Sequence, residues 1–250
     1  GTPTGTGPYQ VKGVTGSSIE LSINSNWWKT LPCLESIVFN ERDNNETALA
    51  SYEAGQLNMV PTAITSVGKY REEGVTNVLD VMTQNVEVML FNYHNETLSN
   101  PNVRKAIAYA LDRSKLISNV YMNRAQAADV PIPPDSWLYD SKSKKYDYNL
   151  STALDLMKQA GWSDKDWDGI LERVDDPNVE LSLTLLVNDT IDNALRKEAA
   201  ATIASQLLEL GIKVEIKTAA YTLGNETSEY MTKLSGKNFD IALAGFRLGL

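Results

Sequence analysis

VELSLTLLV, residues 179–187, is followed by a helix-period stretch at 192–210, then by IKVEIKT at 212–218, a short helical stretch at 227–234, and FDIALAGF at 239–246. The three apolar runs have the length of strands. Within 192–210, Leu195, Ala199, Ile203, Leu207 and Leu210 recur on one helical stripe, with Arg196, Lys197, Ser205 and Glu209 elsewhere on the helix, and Gly211 stops it. Strand, helix, strand, helix, strand implies right-handed crossovers and a parallel sheet. Ligands of open parallel sheets sit beyond the carboxyl ends of the strands. That rule selects 188–190, 219–221 and 246–249. The candidate ligand-binding residues there are Asn188, Tyr221, Phe246, Arg247, Leu248 and Gly249. They offer an amide, two aromatic faces, a guanidinium and backbone free of bulky side chains, which suits recognition: hydrogen bonds orient a ligand and aromatic rings cover its apolar parts.

Upstream, the chain changes character near residue 100. Before it, strands are predicted at 18–24, where Ile19, Leu21 and Ile23 alternate, and at 36–40, 57–60 and 86–93. The run at 86–93 (VEVMLFNY) is apolar enough to expect burial on both faces. A short helix at 47–54 is closed by Gly55, and Pro61 stops the strand at 57–60. After it, Asn100-Pro101 opens a helix with Val103, Ile107, Ala110 and Leu111 at helical spacing, Asp112 caps a second, and 149–161 forms a third with Ala153, Leu154, Met157 and Ala160 on one stripe. Val130-Pro131-Ile132-Pro133-Pro134 cannot continue a helix and is expected to be extended. The expected division is 1–98, strand-rich, and 99–250, an α/β domain.

The chain has 250 residues and a net charge of −9, so electrostatics gives no case for nucleic acid or anionic lipid as partner. A single cysteine, Cys33, and a single histidine, His94, exclude an internal disulfide and a Cys/His metal cluster, and Cys33 is expected to be a small buried hydrophobe. No apolar run approaches the roughly 20 residues of a membrane span. The opening Gly1-Thr2-Pro3-Thr4-Gly5 reads as the interior of a longer protein, and an apolar strand near the other end suggests a piece excised from one.

Sequence signs of catalysis are sparse. G-x-S-x-G, Walker and H-E-x-x-H patterns do not occur, Gly5-Thr6-Gly7 lacks the rest of a dinucleotide fingerprint, and nothing calls for a cofactor. Asp164-Lys165-Asp166-Trp167-Asp168-Gly169 matches the start of a calcium loop, with Asp164, Asp166 and Asp168 as candidate ligands, Leu171 as the apolar eighth position and Asp175 where a bidentate Glu usually stands. The same residues also read as an Asp/Gly-rich turn between a helix and a strand.

Several segments carry a family resemblance. Gly5-Thr6-Gly7-Pro8-Tyr9, Glu53-Ala54-Gly55-Gln56-Leu57-Asn58, the helix pair Asn102-Val103-Arg104-Lys105-Ala106-Ile107-Ala108-Tyr109-Ala110-Leu111-Asp112-Arg113, and the stretches 127–134, 149–162 and 239–246 resemble the family 5 extracellular solute-binding proteins, the dipeptide, oligopeptide and nickel binders of ABC importers. The helix pair is the most specific match. The resemblance implies a type II periplasmic-binding-protein-like α/β fold: a parallel-rich sheet lobe plus part of a second, mixed α+β lobe, closing on a ligand like a hinged clamp. It implies capture of a peptide or small solute and delivery to an ABC transporter permease. It places the protein outside the cytoplasmic membrane, as a periplasmic or cell-surface lipoprotein whose lipid anchor lies outside these residues. By the same resemblance, Tyr221 stands where many members stack an aromatic on the ligand, and Phe246 replaces a usual Trp. Gly249 stands where peptide binders often carry an acid for the peptide amino terminus, and Leu243 where some oligopeptide binders have Arg. A sugar, opine, modified peptide or antibiotic-like ligand fits these departures, whereas histidine-rich nickel ligation does not fit one histidine. Half a clamp predicts weak binding, and an open sheet edge favours dimers. Two other readings stay open: an α/β hydrolase or transferase domain, for which Asp189 and Arg247 are the titratable groups near the strand ends, and a calcium-stabilised surface scaffold.

Overall fold

Residues 3–62, 67–72, 74, 76–132, 136–190 and 193–247 are described by the computed structural model. The chain divides into two units, Gly1–Ile64 and Thr65–Leu250. In the first, β1 (Tyr9–Thr15), β2 (Ser18–Ile23) and β3 (Ser36–Asn40) form an antiparallel meander, followed by α1 (Asn45–Glu53). Thr15 pairs with Ser18 across a two-residue turn that opens on Gly16 at φ +53°, a left-handed position glycine accepts without strain. Asn44 caps α1: its side chain accepts from the N–H of Thr47, while the Thr47 side chain accepts from the N–H of Asn44.

Two expectations fail in this unit. Residues 57–60 form no strand: the meander gives them no ladder partner, and Pro61 removes a donor next to them. Cys33 is exposed, because it lies in the irregular segment before β3, where no second layer covers it.

The second unit contains α2 (Gly68–Glu72), β4 (Asn85–Phe91), α3 (Glu96–Ser99), α4 (Pro101–Ala110), α5 (Arg113–Asn119), α6 (Leu150–Gln159), β5 (Trp162–Ser163), β6 (Glu172–Arg173), β7 (Ser182–Asp189), α7 (Ala194–Glu209), β8 (Lys213–Ala220), α8 (Glu229–Ser235) and β9 (Ile241–Arg247). The order of its main sheet is β4-β9-β7-β8. β7 is parallel to both β8 and β9, as the sequence predicts, whereas β4 runs antiparallel to β9. Among the described residues β4 is an edge strand of this sheet, and it is not buried on both faces: Met89 and Phe91 pack on the core while Leu90 is exposed.

Side-chain periodicity sets the layers. α4 turns Val103, Ala106, Ile107 and Ala110 inward, α6 Ala153 and Met157, and α7 Ala200, Ile203 and Leu207. They bury the face of the sheet made by Leu183, Leu185, Val187, Ile241 and Leu243. Each fully buried Leu or Ile there contributes about 1.5–3 kcal/mol relative to exposure. α8 covers the other face through Tyr230, against Leu186, Ala219 and Ala242.

Helix ends follow their caps. Pro101 opens α4, Asp112 accepts from the N–H of Lys115 at 3.0 Å, and Asn149 accepts from that of Thr152 at 2.9 Å. Gln206 is buried on α7 and accepts the Asp112 N–H at 3.0 Å, which fixes the start of α5 against α7. Gly211 ends α7 at φ +95°, where a Cβ would stand 2.8 Å from Leu171 Cγ. Residues 130–132 form no helix, while Pro133 and Pro134 lie outside the described residues, as does Asp192 at the expected start of α7. Among the described residues, no helix is long and apolar enough to cross a membrane.

Candidate ligand-binding site

The two crossovers of the parallel sheet run in opposite directions, from β7 out to β8 and from β8 back past β7 to β9. α7 carries the chain to β8 on one side of β7, and α8 carries it to β9 on the other, so the two helices lie on opposite faces. In open parallel sheets, ligands bind outside the carboxyl end of the central strand where the strand order reverses in this way.

Asn188 and Asp189 end β7, beside Ala219 and Ala220 of β8. Tyr221 follows at once, and its N–H donates to the Asp189 carbonyl at 3.3 Å. The Tyr221 ring meets Tyr230 edge to face at 5.8 Å between centroids. The Tyr230 hydroxyl donates to the Leu243 carbonyl at 2.5 Å, so one aromatic pair links the end of β8 and the start of α8 to the middle of β9. Alternation along β9 puts Ile241, Leu243, Gly245 and Arg247 toward α7, and Ala242, Ala244 and Phe246 toward α8. Asn188, Tyr221, Phe246 and Arg247 are thus gathered at one end of the sheet. Leu248 and Gly249 lie outside the described residues. The ends form an open wall, with Phe246 43% exposed.

The centre of this wall is a group that sequence reading missed. The Arg196 guanidinium forks onto the Glu87 carboxylate, Nε to Oε2 at 2.7 Å and Nη2 to Oε1 at 2.6 Å, and its Nη1 donates to Asn188 Oδ1. Asn193 donates to the same Oδ1 at 2.9 Å and to the Asn188 carbonyl at 2.5 Å. Asn188 is therefore buried with its oxygen fully engaged, and it holds Arg196 in place. The pair lies over Gly245, where an added Cβ would collide with Arg196 Nη2 and Glu87 Oε1.

Burial works against the Arg196 charge, but the hydrogen bonds and charge of Glu87 more than offset it and hold the guanidinium above its usual range. Burial also pushes the Tyr121 hydroxyl up, with Glu87 adding to the effect and Arg196 opposing it. Tyr230 is raised first by burial, against Arg196 and with Glu87 and Tyr221. One signal for this group was available: Glu87 is an isolated acid inside an otherwise apolar strand. Arg196 carries no such mark, because its place off the core stripe reads as a solvated position.

Two other features lie away from the wall. Asp164, Asp166, Asp168 and Glu172 each bring a carboxylate oxygen within 4.8 Å of the others. Asp175, read as the bidentate position of a calcium loop, instead pairs with Arg173 through two bonds of 3.0 Å, because the hairpin of β5 and β6 turns its side chain outward. The carboxylates in the group also accept the loop's own N–H groups, Asp164 from Trp167 at 2.7 Å, Asp168 from Ile170 at 2.8 Å and Glu172 from Lys165 at 2.8 Å, which accounts for the loop's shape. A groove of about 530 Å³ lies beside α8, lined by His94, Thr184, Lys217, Lys233 and Lys237 among others. Asp240 also lines it, and its carboxylate takes the N–H and hydroxyl of Thr184 and the amide of Asn95.

The family profile for bacterial extracellular solute-binding proteins, family 5 Middle, matches residues 1–248. The chain belongs to this family. The oligopeptide-binding protein AppA of Bacillus subtilis is 29% identical over 226 residues, 88% of this chain and 40% of that protein. The structure of AppA with a nonapeptide aligns at TM-score 0.66 and 25% identity, covering 97% of this chain and 47% of that one. NikA of Brucella suis, solved with Fe(III)-EDTA, shares the fold at TM-score 0.81 and 23% identity, covering 97% of this chain and 48% of that one. The fold is thus of the type II periplasmic-binding-protein kind, and the chain spans less than half the length of these relatives.

Proposed function

We propose that this chain is part of the solute-binding component of an ABC importer, capturing an oligopeptide or related small solute and delivering it to a membrane permease. The wall that touches the solute comprises Asn188, Tyr221, Phe246 and Arg247, continued in sequence by Leu248 and Gly249. The observation that carries the reading is the reversal of strand order at β7, with hydrogen-bonding and aromatic groups gathered at its carboxyl end. Membership of a solute-binding family, and relatives named as oligopeptide and dipeptide binders, support it. In the intact protein, the strand-rich first part of the chain contributes to one lobe and the α/β part, which includes β4, to the other. The protein works outside the cytoplasmic membrane, held by a lipid anchor beyond these residues, and releases its solute unchanged.

Thermal shift and calorimetry of the full-length protein against a peptide library test this. A subset of peptides raises the melting temperature and is recovered intact. No shift with any peptide overturns the peptide reading, and conversion of a bound peptide overturns the receptor reading.

A further inference from the structure

The charges at the strand ends are nearly all matched from within. Glu87 takes both forks of Arg196, Asp189 pairs with Lys197, and Glu229 pairs with Lys233 at 2.7 Å while accepting the Ala220 N–H at 3.3 Å. None of these is available to a ligand without leaving its partner unpaired, and for Arg196 that partner shares a half-buried site. Arg247 differs. It ends β9 opposite Asn85, on the same face as Gly245, it is exposed, and among the described residues its side chain has no ion pair or hydrogen bond. The next residues are Leu248, Gly249 and Leu250, none of them charged.

We infer that the solute held at this wall carries an anionic oxygen group, a carboxylate or a phosphate, and that Arg247 is its counter-charge. A guanidinium presents a planar fork of donors that two such oxygens satisfy together. The apolar remainder of the solute lies on Tyr221 and Phe246, on the other face of β9. A solute leading with an ammonium group meets a like charge instead. The rival anchor is Glu226, exposed in the loop after β8 and without an ion pair among the described residues. It belongs to a turn closed by Asn225, outside the sheet, and would select a cation.

The inference rests on the receptor reading, and its test separates the two. Tri-alanine, its carboxy-terminal amide, and that amide carrying one phosphoserine are titrated calorimetrically into the full-length protein, Arg247→Gln and Glu226→Gln. Amidation and Arg247→Gln each weaken binding about tenfold, the scale of one partly desolvated ion pair, and together little more than either alone. Glu226→Gln leaves the affinity for tri-alanine unchanged. Recovery of binding by the phosphoserine amide identifies phosphate as an accepted anion, and failure to recover it identifies the carboxylate. Equal binding of acid and amide, or a loss on Glu226→Gln with none on Arg247→Gln, overturns the inference and leaves the receptor reading standing. Binding of none of the three overturns the inference, and the peptide reading falls with it only when the whole library also gives no shift.

Discussion

The meander β1-β2-β3 and the sheet β4-β9-β7-β8 are ladders of the same kind with opposite surroundings. In the first unit no described side chain is buried, and Val38 and Phe39 of β3 are 50% and 56% exposed. In the second, Leu183, Leu185 and Val187 of β7 are at most 2% exposed, because α4, α6 and α7 lie over one face and α8 over the other. Hydrogen bonds and alternation are enough to make a strand, and a covering layer is needed to make a core. Stability is therefore expected to reside in the second unit.

The strongest test of that contrast is a matched pair of truncations. Leu185→Ala is expected to lower stability by about 2–5 kcal/mol in urea denaturation, and Val38→Ala by less than about 1 kcal/mol. Comparable losses at both positions would mean that the meander is covered in solution. Next in size is Arg196→Met, expected to cost about 2 kcal/mol, because the buried Asn188 oxygen keeps only the Asn193 donor of its two and Glu87 loses both forks while regaining some water. It should also weaken solute binding by displacing Asn188, whereas Lys197→Met, which removes an exposed pair, should do neither.

Alkaline pH sharpens the same contrast. Tyr230 and Tyr121 both titrate above the ordinary value of 10.0, so the folded state holds their protons more tightly than the unfolded chain. That contribution to stability is complete below about pH 10, the range where the unfolded chain also keeps its phenol protons, and it is lost as pH rises through the folded values. Tyr230→Phe should flatten the decline in melting temperature above pH 10 without abolishing it, since Tyr121 still titrates. The smallest expected effect is at a helix end: Asn149→Ala removes the cap of α6 and should cost about 1 kcal/mol, again read by urea denaturation.

How much of this was legible depends on how local the cause is. Asn149, Asp112 and Gly211 mark helix ends with side-chain or backbone chemistry that acts within a few residues, and the structure places them there. The alternation from 179 to 246 fixes three parallel strands for the same reason. The misreadings concern partners far along the chain. The apolar run at β4 looks like an interior strand, yet only its pairing with β9 and its open second edge decide its exposure. The segment 57–60 alternates well enough for a strand and lacks one for want of a neighbour. The places of Tyr221, Phe246 and Arg247 at the strand ends follow from topology, whereas the Glu87–Arg196 pair joins residues 109 positions apart and only the lone acid in an apolar run hints at it.

The place of β9 has a consequence for biosynthesis. It is the last strand made in these residues and an interior one, inserted between β4 and β7, with Phe91 opposite Ile241. A nascent chain emerging amino end first holds β4 and β7 with nothing between them until residues 241–247 appear. Closure of the unit is then a late, long-range event of the kind that slows folding and keeps strand edges open to capture by other chains.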